Sequence, residues 1–229
     1  MPLNSHLLLD FDGVIVDSVT LKHDCYGHVL SQICSDKDAL QSALDTTKGM
    51  PRSAKLKRCL DLLRIPISDQ EPLLENLLTQ FSILWSKTLE CAEFKEASRW
   101  VELLPDMRQY FNSVTCFSAS PHEELEPLCH RLGLVTCFDE LSGAGRVLTK
   151  ADRLQRFSKK NWIGSRVYSV GDSYADAELA QTFGFEFVAY TEFHLNKENW
   201  CREYPNVKSP SALARLFSSK YLSAALSNE

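Results

Sequence analysis

Short apolar segments alternate with helical patterns through the second half of the chain. Strand-like runs occupy residues 113–120, 165–173 and 185–190. Parallel strands need a crossover connection, which is usually a helix, so this order predicts a parallel sheet with helices on both faces. The helical patterns lie at residues 121–134, 150–160 and 174–184.

The first strand of this sheet is separated from the others by a long helical stretch. Residues 5–9 form a short apolar run typical of a buried strand, whereas residues 19–103 have helical periodicity and no convincing strand. We therefore predict an α/β core domain made of residues 1–18 and 104–229. An all-helical domain, residues 19–103, is predicted to be inserted after the first strand.

Composition excludes several classes of partner. The chain has 229 residues and a formal net charge of -5, which gives no basic surface for a nucleic acid. The apolar run near the N-terminus is too short for a signal peptide or a membrane span, so we expect a cytoplasmic protein with no membrane partner. The eight cysteines form no C-x-x-C pair, and we expect them to be reduced. The sequence leaves monomer and homodimer both open.

Polar residues follow the predicted strands at the points where the strands end. In an open parallel sheet, ligands bind at the carboxyl ends of the strands, so these side chains should lie close together. Carboxylates that are brought together need a cation, and Mg²⁺ prefers oxygen ligands. A hydroxyl and an ammonium in the same place would suit a phosphoryl group, whose transfer depends on positioning and charge neutralisation. The residues concerned are Asp10, Asp12, Ser118, Lys150, Asp172 and Asp176.

Four segments of the chain resemble the motifs of the haloacid dehalogenase superfamily. They are "DFDGVIVDS" from Asp10, the strand that ends in Ser118, the helix that Lys150 opens, and "GDSYADAELA" from Gly171. Their order and the helical insertion are similar to the branch with a small helical cap, which includes phosphoglycolate phosphatase and β-phosphoglucomutase. The resemblance covers about Leu7 to Tyr190 and implies a Rossmann-like parallel core with an inserted helical cap domain.

The resemblance also implies a role for each matched residue. Asp10 would attack phosphorus and become an aspartyl phosphate, and Asp12 would act as general acid and then as general base. Mg²⁺ would be held by Asp10, the backbone carbonyl of Asp12, Asp172 and Asp176. The phosphoryl group would be bound by Ser118, Ala119, Lys150 and backbone amides around Phe11 and Gly13. The Lys-Pro pair common in relatives is absent here, and Arg146 and Arg153 lie near Lys150.

The expected function is a Mg²⁺-dependent phosphatase that acts on a small phosphorylated metabolite, such as a sugar phosphate or phosphoglycolate. A phosphosugar mutase, which shares the aspartyl phosphate, remains an alternative. A non-catalytic binding or regulatory protein on the same scaffold is an alternative of another class. Dehalogenases and phosphonate hydrolases are disfavoured because those branches lack an equivalent of Asp12.

The predicted insertion contains one candidate specificity loop. "TTKGMPRS" interrupts the helical pattern with glycine, proline and two cations. Relatives with this type of cap select substrates with a loop at the corresponding place, so Lys48, Gly49 and Arg52 are expected to contact the non-reacting part of the substrate. A solvated connection between two helices is the alternative interpretation.

Overall fold

Six parallel strands form one sheet in the computed structural model, which describes residues 4–47, 50–145, 149–162, 164–193 and 202–226. The strand order is β3-β2-β1-β4-β5-β6, and every neighbouring pair is parallel. This confirms the α/β fold with a parallel sheet. The strands are β1 (Ser5–Leu9), β2 (Ser113–Pro121), β3 (Glu140–Ala144), β4 (Arg166–Gly171), β5 (Glu186–Tyr190) and β6 (Asn206–Val207).

The chain divides into two units. The helical unit is Ser18–Glu93, and the sheet unit is Met1–Asp17 with Phe94–Glu229. The helical unit contains α1 (Val19–Leu30), α2 (Lys37–Thr46), α3 (Arg52–Leu62) and α4 (Ile67–Cys91). Its core has a stacked pair of rings, Tyr26 and Phe81, with centroids 4.2 Å apart. All elements described between residues 19 and 103 are helices, as the sequence predicts.

The helices of the sheet unit alternate with its strands. They are α5 (Ala97–Met107), α6 (His122–Arg131), α7 (Lys150–Asn161), α8 (Tyr174–Phe183) and α9 (Pro210–Leu226), with 3-10 turns at Arg108–Tyr110 and Val135–Cys137. Helix α6 packs against β2 and β3, and α8 packs against β4 and β5. No helix in the described ranges is long and apolar enough to cross a membrane.

Helix α5 belongs to the sheet unit rather than to the helical unit. The sequence analysis placed the second domain boundary after Leu103, whereas the structure divides the chain after Glu93. Trp100 explains the difference, because its side chain is fully buried and its Nε1 donates to the Val14 carbonyl at 3.2 Å. Its ring also lies 5.7 Å from that of Tyr190, at the end of β5.

Local signals determine where several helices begin and end. The Asp36 carboxylate accepts hydrogen bonds from the backbone N–H groups of Asp38 and Ala39 and so caps α2, a helix that the sequence analysis did not predict. Gly184 ends α8 with φ +70°, a left-handed conformation that glycine adopts without steric cost.

Two glycine-to-alanine substitutions should change stability in opposite directions. Gly184→Ala should destabilise the protein by about 1–2 kcal/mol, because alanine is strained at positive φ. Gly27→Ala, inside α1, should stabilise it by about 0.5–1 kcal/mol, because the new Cβ would lie 3.8 Å from Leu44 Cδ1 in ordinary contact. Thermal unfolding followed by circular dichroism measures both, and shifts in the same direction would contradict the account.

Candidate active site

The site lies where the strand order reverses, between β1 and β4. Ligands of doubly wound sheets bind at this point, outside the carboxyl ends of the strands. The register pairs Leu9 with Val170, so Asp10 and Asp172 directly follow the ends of two adjacent strands. The Asp10 N–H donates to the Val170 carbonyl at 2.9 Å and continues the ladder by one bond.

Three carboxylates meet at this edge of the sheet. Ligand oxygens of Asp10, Asp172 and Asp176 all lie within 4.8 Å of one another. Asp176 reaches the cluster from the first turn of α8, where it also takes part in a capping box with Ser173. Its Oδ2 accepts from the Ser173 hydroxyl at 2.6 Å, which leaves Oδ1 directed to the cluster.

The Lys150 ammonium supplies the positive charge at the centre of this cluster. Nζ donates to Asp10 Oδ1 at 2.8 Å and to Asp176 Oδ1 at 2.7 Å. Lys150 is the first residue of α7, and its side chain is only 16% exposed. A lysine at this position therefore bridges the acid after β1 and the acid on α8.

Burial and neighbouring charges shift the pKa values of Asp10, Asp172 and Lys150. Burial raises the pKa of the Asp10 carboxyl to about 7, although the Lys150 ammonium opposes the shift. The carboxylates of Asp176 and Asp12 add to the rise. Burial and then the charges of Asp10 and Asp176 raise the pKa of Asp172 well above its ordinary value. For Lys150, burial favours the neutral amine, but the two carboxylates outweigh it and raise the pKa, so the side chain stays an ammonium.

Two glycines allow the acids to come this close. Gly13 has φ +80°, and a Cβ on it would lie 2.0 Å from Asp172 Oδ2. A Cβ on Gly171 would lie 2.4 Å from the Cβ of Asp176. The N–H of Gly13 donates to the Val16 carbonyl at 2.8 Å within the loop. Glycine is needed at this position for conformation and space, and the predicted contact of the Gly13 amide with a phosphoryl group stays a prediction.

Asp12 has different surroundings from Asp10, although only one residue separates them. Its Oδ2 accepts from the Ser120 hydroxyl at 2.6 Å and from the Ser118 hydroxyl at 3.3 Å. Ser118 is fully buried, and its Oγ also accepts from the Ser120 N–H at 2.9 Å. Asp12 is thus held by hydroxyls of β2, whereas Asp10 faces an ammonium and two carboxylates.

Solved structures share this architecture. A β-phosphoglucomutase from Clostridium difficile has a TM-score of 0.74 at 18% identity, and the match covers 96% of this chain and 99% of that one. A predicted phosphoglycolate phosphatase from Haemophilus somnus has a TM-score of 0.67 at 15% identity, covering 92% and 96%. A haloacid dehalogenase-like family hydrolase from Streptococcus pneumoniae has a TM-score of 0.65 at 14% identity, covering 93% and 97%.

The fold is that of the haloacid dehalogenase-like hydrolases. No family model matches the sequence, and no curated protein matches it significantly. The structural likeness confirms the fold that the four motifs led us to expect. At these identities it establishes the haloacid dehalogenase-like fold, and the chemistry has to be argued from the site itself.

The remaining predicted site residues have different surroundings, and their predicted roles stay predictions. Phe11 is buried, and its carbonyl accepts backbone hydrogen bonds from the loop that follows. Ala119 is exposed on β2.

Arg52, predicted to contact the substrate, opens α3. Its guanidinium lies over the Phe81 ring at 4.7 Å and donates to the Ser82 hydroxyl. Lys48 and Gly49 lie outside the described residues, so their predicted role stays a prediction.

The sequence analysis missed Ser120 and gave Arg153 no structural role. Ser120 makes the shorter of the two hydroxyl contacts to Asp12. It stands two residues after Ser118, on the same side of the strand, and the period of two could have indicated it. Arg153 contacts backbone carbonyls, for which the sequence carries no signal.

The donor set of the acid cluster fits Mg²⁺. All three side chains of the cluster offer carboxylate oxygens, which are the ligands this ion prefers. Burial, and after it the charges of Asp176 and Asp12, raise the pKa of Asp10 in spite of the Lys150 ammonium, so further positive charge would favour the ionised carboxylates. Asp10, Asp172 and Asp176 are the side chains that would hold the ion.

Replacement of one clustered acid should stabilise the metal-free protein. We expect Asp172→Asn to raise the free energy of unfolding at pH 7.5 by roughly 0.5–2 kcal/mol without divalent ions, because it removes a carboxyl group whose ionised form is disfavoured by burial and by its acidic neighbours. The same variant should lose the rise in melting temperature that Mg²⁺ gives the wild type. Asp106→Asn, at an exposed aspartate, is the control and should behave like wild type. A less stable Asp172→Asn that still responds to Mg²⁺ would contradict the assignment.

Proposed function

We propose that the protein is a Mg²⁺-dependent phosphatase of a small phosphorylated metabolite and acts through an aspartyl phosphate. The observation that carries the proposal is the separation of environments between Asp10 and Asp12. Asp10 lies against the Lys150 ammonium in the acid cluster, whereas Asp12 is held by two serine hydroxyls. Two carboxyl groups with different surroundings on one strand end are suited to different catalytic roles.

In the first step, a carboxylate oxygen of Asp10 attacks phosphorus and the bond to the leaving oxygen breaks. Asp12 gives its proton to that oxygen, so the product leaves as an alcohol. In the second step, Asp12 takes a proton from the attacking water, inorganic phosphate forms, and the Asp10 carboxylate is released. When bound by Asp10, Asp172 and Asp176, Mg²⁺ would supply positive charge that offsets the negative charge of the phosphoryl group.

Lys150 and Ser118 hold the phosphoryl group in this scheme. The Lys150 ammonium is fixed at 2.8 Å from the nucleophilic carboxylate, so its charge is in place before the phosphoryl charge arrives. The Ser118 hydroxyl donates to Asp12 Oδ2 at 3.3 Å, and it could donate to a phosphoryl oxygen in place of that contact. This division of contacts leaves Asp10 positioned for attack and Asp12 positioned for proton transfer.

The similar structures support this choice of reaction. They include a predicted phosphoglycolate phosphatase and a β-phosphoglucomutase, so we propose phosphoglycolate-like compounds and sugar phosphates as the substrate class. Lys48 and Arg52 are the two cations of the predicted specificity loop. We propose that Arg52 takes part in the selection of the substrate. The described cysteines are free thiols, in keeping with a reducing cytoplasm, which we propose as the location.

Phosphate release from a substrate panel tests the proposal. With sugar phosphates, phosphoglycolate and nucleotides, the wild type should release inorganic phosphate only when Mg²⁺ is present. Asp10→Asn should lower the rate by about 10⁴-fold or more, and Asp12→Asn by about 10²- to 10⁴-fold. Asp106→Asn, at an exposed position, should keep wild-type activity.

Two results would contradict the phosphatase assignment. Equal rates for wild type and Asp10→Asn on every substrate would exclude catalysis by this site. Isomerisation of a sugar 1-phosphate that needs a bisphosphate primer and releases no net phosphate would identify a mutase instead.

A further inference from the structure

Arg153 lies one helical turn after Lys150 and makes a second set of contacts at the same end of the sheet. Residues three apart on a helix share a face, so α7 directs both cations to the strand ends. Nη2 of Arg153 donates to the Ser118 carbonyl at 2.7 Å. Nη1 donates to both the carbonyl and the hydroxyl of Ser142, each at 2.8 Å. One guanidinium therefore joins β2 to β3.

The guanidinium is held in place by more than its hydrogen bonds. Its Cζ lies 4.8 Å from the centroid of the Phe117 ring, an arrangement typical of cation–π contact. Within the described part of the chain, its Nε is buried without a hydrogen-bond acceptor. A buried donor without an acceptor costs free energy. The hydrogen bonds of Nη1 and Nη2 must therefore offset the cost of the unpaired Nε to hold the side chain in this position.

The contact to Ser118 fixes more than one carbonyl. A peptide group is planar, and in the trans form its C=O and N–H point in opposite directions. The carbonyl of Ser118 and the N–H of Ala119 belong to the same peptide group, and this chain contains no cis peptide in its described residues. With the carbonyl directed at Arg153, the N–H of Ala119 must point away from the guanidinium. A charge-assisted bond to the carbonyl also polarises the N–H and makes it a stronger donor.

We propose that Arg153 is a positioning residue for phosphoryl transfer: it orients the peptide group between Ser118 and Ala119 so that the amide donates to the phosphoryl group that Asp10 receives. The inference rests on the proposed function. It adds a reason why the Ala119 amide would face the phosphoryl group. Lysine could not replace Arg153, because a single ammonium lacks the rigid fork that reaches carbonyls on two strands.

Arg153→Met tests the inference, with Arg156→Met, at an exposed arginine on the same helix, as the matched control. The kcat for p-nitrophenyl phosphate should fall about 10- to 100-fold, as is usual when a group that orients a contact residue is removed. The affinity for orthovanadate, a mimic of the pentacoordinate transition state, should fall by a similar factor. The affinity for inorganic phosphate should fall less, because an oriented donor acts most strongly on the transition state. Steady-state kinetics and isothermal titration calorimetry give the three quantities.

Arg153→Lys keeps the charge and serves if the methionine variant does not fold. It should recover folding but only part of the rate, and its affinity for orthovanadate should stay below that of the wild type by a factor similar to the remaining loss of rate. Wild-type kcat and orthovanadate affinity in a folded Arg153→Met or Arg153→Lys protein would overturn the inference. An equal loss of phosphate and orthovanadate affinity with unchanged kcat would also overturn it.

The same experiment separates this inference from the proposed function. A wild type that releases no phosphate from any substrate and binds neither anion would overturn both. An active wild type whose Arg153 variants match it in rate and in orthovanadate affinity would overturn only the role of Arg153.

Discussion

The site depends on one electrostatic arrangement, in which the Lys150 ammonium lies between the carboxylates of Asp10 and Asp176. The strand order forces acids after β1 and β4 together, and burial makes their mutual repulsion costly. The protein accommodates this cost with a buried cation on α7 and with two glycines that leave room for the acids. Such a cluster makes the folded protein less stable than an uncharged cluster would, a cost that is common at functional sites.

Several residues of the cluster serve structure and chemistry together. Asp176 caps α8 through one carboxylate oxygen and meets Lys150 through the other, so the helix start fixes the position of the acid. Helix α7 carries both Lys150 and Arg153, one directed at the acids and the other at the backbone of β2 and β3. The proposed nucleophile Asp10, the Lys150 ammonium and the amide that we propose as a phosphoryl ligand are thus positioned by the same few elements.

The sequence predicts the parts of this arrangement that follow from chain direction. Alternating strands and helices require a parallel sheet, and acids at strand ends must then meet at one edge, so Asp10 and Asp172 could be found without a structure. Other parts depend on local or spatial detail. Helix α2 has few large apolar residues and is marked mainly by its Asp36 cap, and β6 is only two residues long. Two of the hydrogen-bond acceptors of Arg153 are backbone carbonyls of distant segments, which its local sequence does not indicate. Helix α5 has an apolar face, but its pattern does not show which unit that face packs against.

Direct detection of a phosphorylated Asp10 tests the central claim most sharply. In Asp12→Asn, p-nitrophenyl phosphate should still phosphorylate the enzyme, because its leaving group needs little acid assistance, whereas hydrolysis of the intermediate should be slow without the general base. Acid quenching and peptide mass mapping should then find one phosphoryl group on the peptide that contains Asp10. The same peptide should carry no phosphoryl group in the matched Asp10→Asn, Asp12→Asn double variant. Release of p-nitrophenol with no phosphorylated Asp10, or with the phosphoryl group on another residue, would contradict the account.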